Sequence, residues 1–353
     1  MSLRVFADLH HADLYYSLQL LFEKRLGGEL YRPIGLEWYE EKYWNVYPHP
    51  ATAQQYLALD QAIVPPQDTH GNYLRDQDVL NANYIFEDGI YYINDSTKDK
   101  IQRGITLNKF KEMKFDILIS SIPQHIEPFN KLISLYQPQA KHIFQVGNSW
   151  GHQPGIKNIL ASTSEFGVPG DINVCFYHQE FDLDVFKYVP PDPTNIKCIR
   201  SYIHLMQDKN VLDNYRRELS EYKFKTFGAG MEDNVTKSTK LAELISTSGW
   251  TWHVKPGGDG FGHVLFDTYA CGRPTIVNSS YYRGKLGAQL FIDGVTCIDI
   301  SKHSVQEASS LIRHYSQPDE HQKMCENSYK RFKEVANFDE EEEKIRTFLS
   351  VLH

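Results

Sequence analysis

Apolar residues cluster along this chain in short runs that alternate with amphipathic stretches, the pattern of β-strands followed by α-helices. Residues 3–8 predict a strand and 12–26 a helix, which Gly27-Gly28 ends. An aromatic, charge-mixed stretch over 37–56 and a polar segment starting at Val64-Pro65-Pro66 read as an insertion reaching to about Arg103, with a short strand over 89–94. The alternation then becomes regular. Residues 115–120 predict a strand, 123–136 a helix and 141–146 a strand, and apolar runs over 156–161 and 172–177 add two more. Pro190-Pro191-Asp192-Pro193 interrupts both helix and sheet and reads as a linker.

Beyond the prolines the pattern restarts. Strands are expected over 197–206, 225–228, 251–255 and 275–278, and helices over 211–222, 238–247 and from Asp259 to about Cys271. Two βαβ-rich halves predict an α/β protein of two doubly wound, Rossmann-like domains facing a cleft. The boundaries read as 1–190 for the first domain, 194–335 for the second, and 336–353 for a terminal helix crossing back to the first. The acidic run 339–343 reads as a solvated helix start.

At 353 residues the chain is long enough for two cores. With 41% hydrophobic and 23% charged residues it has a globular balance, and a net charge of -8 supplies no general basic field for nucleic acid. Five scattered cysteines, no signal-peptide pattern and no apolar run of membrane-spanning length point to a cytoplasmic protein. The sequons at Asn94, Asn234 and Asn278 then have no role.

Chemistry concentrates between Trp252 and Pro274. Gly257, Gly258, Gly260 and Gly262 leave the backbone bare just where a strand gives way to a helix, so a phosphate can approach amides that the first helical turn leaves without partners. Asp259 and Asp267 lie eight positions apart, about 12 Å along a helix axis, a spacing that suits hydroxyls at the two ends of a nucleotide sugar. His263 and Asp267 share one helical face. The same stretch resembles the GT-B glycosyltransferases, above all the retaining group whose second domain carries Glu-Gly-Phe-Gly, a second Glu, and Ala-Cys-Gly-x-Pro. Here these read Asp259-Gly260-Phe261-Gly262, Asp267 and Ala270-Cys271-Gly272-Arg273-Pro274, with aspartate for both glutamates. The resemblance covers about 50 residues, from Thr251 to roughly Ile300. It implies a sugar contact at Asp259, a ribose contact at Asp267, and phosphate contacts from the amides of Phe261, Gly262 and their neighbours.

Lys255, Arg283 and Lys285 are candidates for neutralising the diphosphate. In the first half His10, His11 and Asp13 end a strand, where a histidine suits a general base for an acceptor hydroxyl and a helix cap equally well. The turns at 145–150 and 178–181 are candidates for the acceptor side, or plain turns. Tyr15, Tyr16, Trp38 and Trp44 are read as core before sugar platforms. No metal or cofactor is expected, since no His, Cys and carboxylate cluster has ligand spacing. The expected activity is transfer of a sugar from a nucleoside-diphosphate sugar to a hydroxyl acceptor such as a glycan, with retention favoured. A nucleotide-sugar epimerase, a non-catalytic nucleotide or sugar binder, and a glycosyltransferase acting on modified DNA bases stay open.

Overall fold

A computed structural model describes residues 2–8, 12–34, 38, 84–95, 98, 100–147, 152–163, 166, 169–203, 207–228, 233, 235 and 237–353. His10, His11, Trp44 and 148–150 lie outside these residues, and so do the roles expected of them. The chain forms two compact units. One comprises Met1–Ser162, Phe166–Glu180 and Asp339–His353, the other Thr163–Glu165 and Phe181–Phe338.

The strands of the first unit are β1 (Arg4–Ala7), β2 (Glu29–Pro33), β3 (Tyr84–Glu87), β4 (Ile90–Asp95), β5 (Lys100–Ile105), β6 (Ile117–Ser120), β7 (Lys141–Val146), β8 (Asn158–Ala161) and β9 (Asn173–Phe176). Among the described residues they join in the order β3-β4-β5-β2-β1-β6-β7-β8-β9. The pairs β3–β4 and β4–β5 are antiparallel and the rest parallel. The chain leaves β1 towards β2 and returns to its other side at β6, so the sheet has its topological switch point between β1 and β6. One face is packed by Leu14, Leu18 and Phe22 of the first helical stretch together with Ile345 and Phe348 of the helix Phe338–Ser350. The other is an aromatic cluster of Phe6, Trp38, Phe110, Phe115 and Phe129. Trp38, with no exposed surface, is therefore core, and its indole N–H donates to the Ile105 carbonyl at 3.1 Å.

The acidic run of the terminal helix is not simply solvated. Glu341 is buried and accepts from the backbone N–H (2.9 Å) and Nδ1 of His178, while Asp339 and Glu342 pair with Arg25, which also pairs with Glu180. The chain's long departure from this unit at 180/181 and its return at 338/339 thus both lie beside one charge cluster.

The second unit has a parallel sheet in the order β11-β10-β12-β13-β14, built from β10 (Cys198–Ser201), β11 (Lys223–Thr226), β12 (Trp250–His253), β13 (Thr275–Val277) and β14 (Cys297–Asp299). Its switch point falls between β10 and β12. Ile199, Trp250, Trp252, Ile276 and Ile298 bury one face, while the helix His263–Ala270 puts Leu265, Phe266 and Tyr269 into a cluster on the other.

The expected proline linker belongs wholly to this unit. Arg273, with no exposed surface, donates from its guanidinium to the carbonyls of Val189 (2.8 Å), Ser248 (3.0 Å), Cys271 (3.2 Å), Gly272 (3.2 Å) and Ser246. That ties the stretch just before Pro190 to the end of the site helix. Replacing Arg273 by Met preserves bulk but orphans several buried carbonyls at once, each costing about 1–3 kcal/mol. Arg273→Met is expected to destabilise the unit by at least about 3 kcal/mol, measured as a lower urea midpoint followed through the fluorescence of buried Trp250 and Trp252.

Candidate functional site

The carboxyl end of β12, beside the switch point of the second sheet, opens into the segment Lys255–Gly262. Open α/β sheets present their ligand-binding groups at this place. The following helix starts at His263, with Gly262 as its N-cap. Gly262 has φ +86°, in the left-handed region where residues with a Cβ are strained, and it leaves the helix start without a side-chain cap. A Cβ on Gly258, itself at φ +67°, would lie 2.4 Å from the Tyr281 carbonyl oxygen and 3.1 Å from Lys285 Nζ. Only glycine fits there.

Asp259 is in the loop rather than in the helix, so its distance from Asp267 is not a helical rise over eight residues. Its carboxylate points into the protein. Oδ2 accepts from His253 Nε2 at 2.6 Å and from the Tyr282 hydroxyl at 2.7 Å, and Oδ1 accepts from the Lys255 ammonium. Burial alone would raise the Asp259 pKa. The His253 imidazole and the Lys255 ammonium overcome it and hold the carboxyl well below the usual carboxylate range. Burial and the Asp259 charge push the Tyr282 phenol far above its ordinary value, so it stays a neutral donor. Three of about four acceptor sites on this carboxylate are therefore taken.

Lys285 donates to the Gly257 carbonyl. Burial lowers its pKa, the Asp259 charge acts against that, and Lys255 lowers it further. Two ammonium groups, from Lys255 and Lys285, thus flank the bare backbone of Gly257 and Gly258. Gly260 is half-buried in the same loop. Phe261 turns its ring into the core, stacked on Phe266 at 4.3 Å, which leaves the backbone rather than the side chain to meet a ligand. His263 sits edge-on to Phe261 at the first helical position, and Asp267 is buried one turn further on.

Arg283 is not gathered with Lys285. It is exposed and lines a depression of about 500 Å³ with Ser279, Phe291, Asp293 and Asp299, near the carboxyl ends of β13 and β14. His253 and Tyr282 were not picked out from the sequence. His253 falls inside the strand expected over 251–255 and ends the observed one, Trp250–His253; Tyr282 lies 23 positions from Asp259, and only folding joins them.

In the first unit Asp13 begins the helix Ala12–Gln19 and is paired with Lys98. The switch point there carries a pair that sequence reasoning missed. Asp8, which follows β1 directly, accepts from His125 Nδ1 at 2.6 Å, from the Ser121 amide at 2.8 Å and from the Ser121 hydroxyl. Both members of the pair are buried. Among the described residues, no group of His, Cys, Asp and Glu is placed to hold a metal ion, and no helix is long and apolar enough to cross a membrane.

No protein-family model matches the chain, and no curated protein matches it by sequence. Solved structures match along nearly its whole length. The Anabaena protein Alr3699/HepE in complex with UDP-glucose aligns at a TM-score of 0.57 and 10% identity, over 98% of this chain and 99% of its own. A TarM variant from S. aureus, solved with UDP, fondaparinux and alpha-GlcNAc-glycerol, aligns at 0.59 and 10% identity, over 99% and 100%. Sucrose-phosphate synthase from Thermosynechococcus elongatus aligns at 0.54 and 10% identity, over 99% and 98%. These neighbours are GT-B glycosyltransferases, and the fold shared with them is GT-B.

Because the folded pKa of Asp259 is depressed, its contribution to stability is present in full above the unfolded value of about 3.9 and is lost progressively as pH falls below it. The stability difference between the wild type and Asp259→Asn is therefore expected to shrink as pH falls from about 5 to 3, measured by urea denaturation of both proteins across that range. A difference that does not change with pH would contradict the ion pairing described here.

Proposed function

We propose that this chain is a glycosyltransferase that moves a sugar from a nucleoside-diphosphate sugar to a hydroxyl acceptor, carbohydrate being the favoured class. The observation that carries the reading is the side-chain-free loop at Gly257 and Gly258 with an ammonium on either side, directly before a helix start. A diphosphate needs approachable amides and positive charge: the helix start at Gly262 carries no side-chain cap, Lys255 and Lys285 supply the charge, and the Gly258 amide is itself spent on the Lys255 carbonyl at 2.9 Å. The solved structures that share the fold support the donor class, since Alr3699/HepE holds UDP-glucose and the TarM variant holds UDP.

In the proposed reaction the bond between the anomeric carbon and the phosphate oxygen breaks as the acceptor oxygen bonds to that carbon. The diphosphate departs with the bonding electron pair, and its leaving oxygen takes the proton that the acceptor hydroxyl gives up. Lys255 and Lys285 stabilise the negative charge that grows on the leaving oxygen. Gly258, Gly260, Gly262 and the Phe261 amide line the phosphate path, while Asp267 and His263 meet hydroxyls of the donor from the first helical turns. The pairing of Asp259 with Asp267 at the spacing of the retaining group favours retention. Donor binding relies on these side chains and the helix start, without a metal ion.

Incubation with UDP-, GDP- and ADP-sugars and a panel of hydroxyl acceptors tests this reading. Acceptor-dependent release of nucleoside diphosphate is expected, with the anomeric configuration of the product read by NMR. Conversion of the donor to an epimer without any acceptor would establish the epimerase reading instead. Lys285→Ala is expected to lower kcat/KM for the donor about 10²-fold. The matching nucleoside diphosphate should raise the Tm of the wild type, by mass action, more than that of the variant.

A further inference from the structure

Three donors converge on the Asp259 carboxylate, and they are not equivalent. His253 and Tyr282 are each about 1% exposed, fixed in the end of β12 and in the Ser279–Tyr282 turn, and both use Oδ2. Lys255 alone takes Oδ1, and its side chain is 21% exposed. An ammonium has three N–H donors and a flexible stem. Of the three partners it is the one able to move without disturbing the core.

We infer that Asp259 is a counter-ion latch: it holds the Lys255 ammonium at the glycine loop and yields it to an incoming diphosphate, with His253 and Tyr282 as positioning residues that keep the carboxylate in place. This rests on the proposed donor site and differs from the sugar contact that the resemblance implies for Asp259. When Lys255 turns to phosphate, the carboxylate keeps two hydrogen bonds and is not left as an orphan buried charge. Tyr282 weakens the hold further, since its hydroxyl shares the negative charge that otherwise falls on the lysine. The turn carrying Tyr282 also supplies the Tyr281 carbonyl that packs against Gly258, and Lys285 follows it directly, so one segment sets the latch and one wall of the loop.

The two roles for Asp259 separate in a double-mutant cycle on the full chain, using isothermal titration with a nucleoside diphosphate and with the matching nucleotide sugar. For a latch, Asp259→Asn frees the ammonium and tightens nucleoside-diphosphate binding about five- to tenfold. Tyr282→Phe makes the carboxylate hold Lys255 harder and weakens binding several-fold. Both effects should be equal for the sugarless and the sugar-bearing ligand, and both should fall below about twofold in a Lys255→Ala background. General damage to the site would weaken binding in both variants, so the opposite signs mark the latch. If Asp259→Asn does not fold, Tyr282→Phe with and without Lys255→Ala separates the two roles by itself. A loss confined to the nucleotide sugar, or effects that persist undiminished without Lys255, would overturn the latch and leave the donor site standing. A wild type that binds no nucleoside diphosphate would overturn both.

Discussion

The glycine loop of the second unit is organised around one carboxylate, that of Asp259, whose side chain is largely withdrawn from water. A charge taken out of water is tolerated only where donors replace the water, and Asp259 finds its donors on three separate pieces of chain: the end of β12, the glycine loop itself and the turn after β13. Satisfying that charge brings those pieces together. The loop is restrained along its length, by the Gly258 amide on the Lys255 carbonyl, by the close fit of Gly258 to the Tyr281 carbonyl and by the left-handed Gly262 at its close. Preorganisation of this kind keeps the cost of ordering the loop out of the binding event.

Much of the architecture is written in local patterns. Period-two and uninterrupted apolar runs mark most of the parallel strands, because a strand buried on both faces has no polar side to show. The loop of the candidate site is legible for a similar reason: four glycines in six positions have few uses other than close backbone approach. What the pattern hides is long-range. The strand Glu29–Pro33 alternates poorly, since Arg32 is buried within it, and it was not predicted. Antiparallel pairing of β3, β4 and β5 depends on partners rather than on composition. The prolines at 190–193 look like a linker by their chemistry, yet the guanidinium of Arg273 reaches the neighbouring Val189 carbonyl and makes that stretch part of the second unit.

The site divides the same way. Lys255, Gly258, Gly262 and Lys285 fall together as the sequence suggests, because three of them lie within one short loop and the turn after β13 brings the fourth to it. Asp259 lies in the loop ahead of the helix expected to begin with it, and the direction of its carboxylate depends on His253 and Tyr282, which no local pattern ties to it. Arg283 is two residues from Lys285 and lines a different concavity, since neighbours in a tight turn point to different sides. The Asp8–His125 pair escaped notice because 117 positions separate its members.

The helix Phe338–Ser350 lays Ile345 and Phe348 into the first unit's core, although the whole second unit intervenes in the chain. During synthesis the second unit has emerged from the ribosome in full while one sheet face of the first, though packed by Leu14, Leu18 and Phe22, still lacks the part that Ile345 and Phe348 cover. The part made earliest is completed last, and until then its apolar sheet face needs shielding, by a chaperone or by transient collapse. A premature stop a few codons upstream of this helix would spare the sequence of the glycine loop entirely and injure the half translated first.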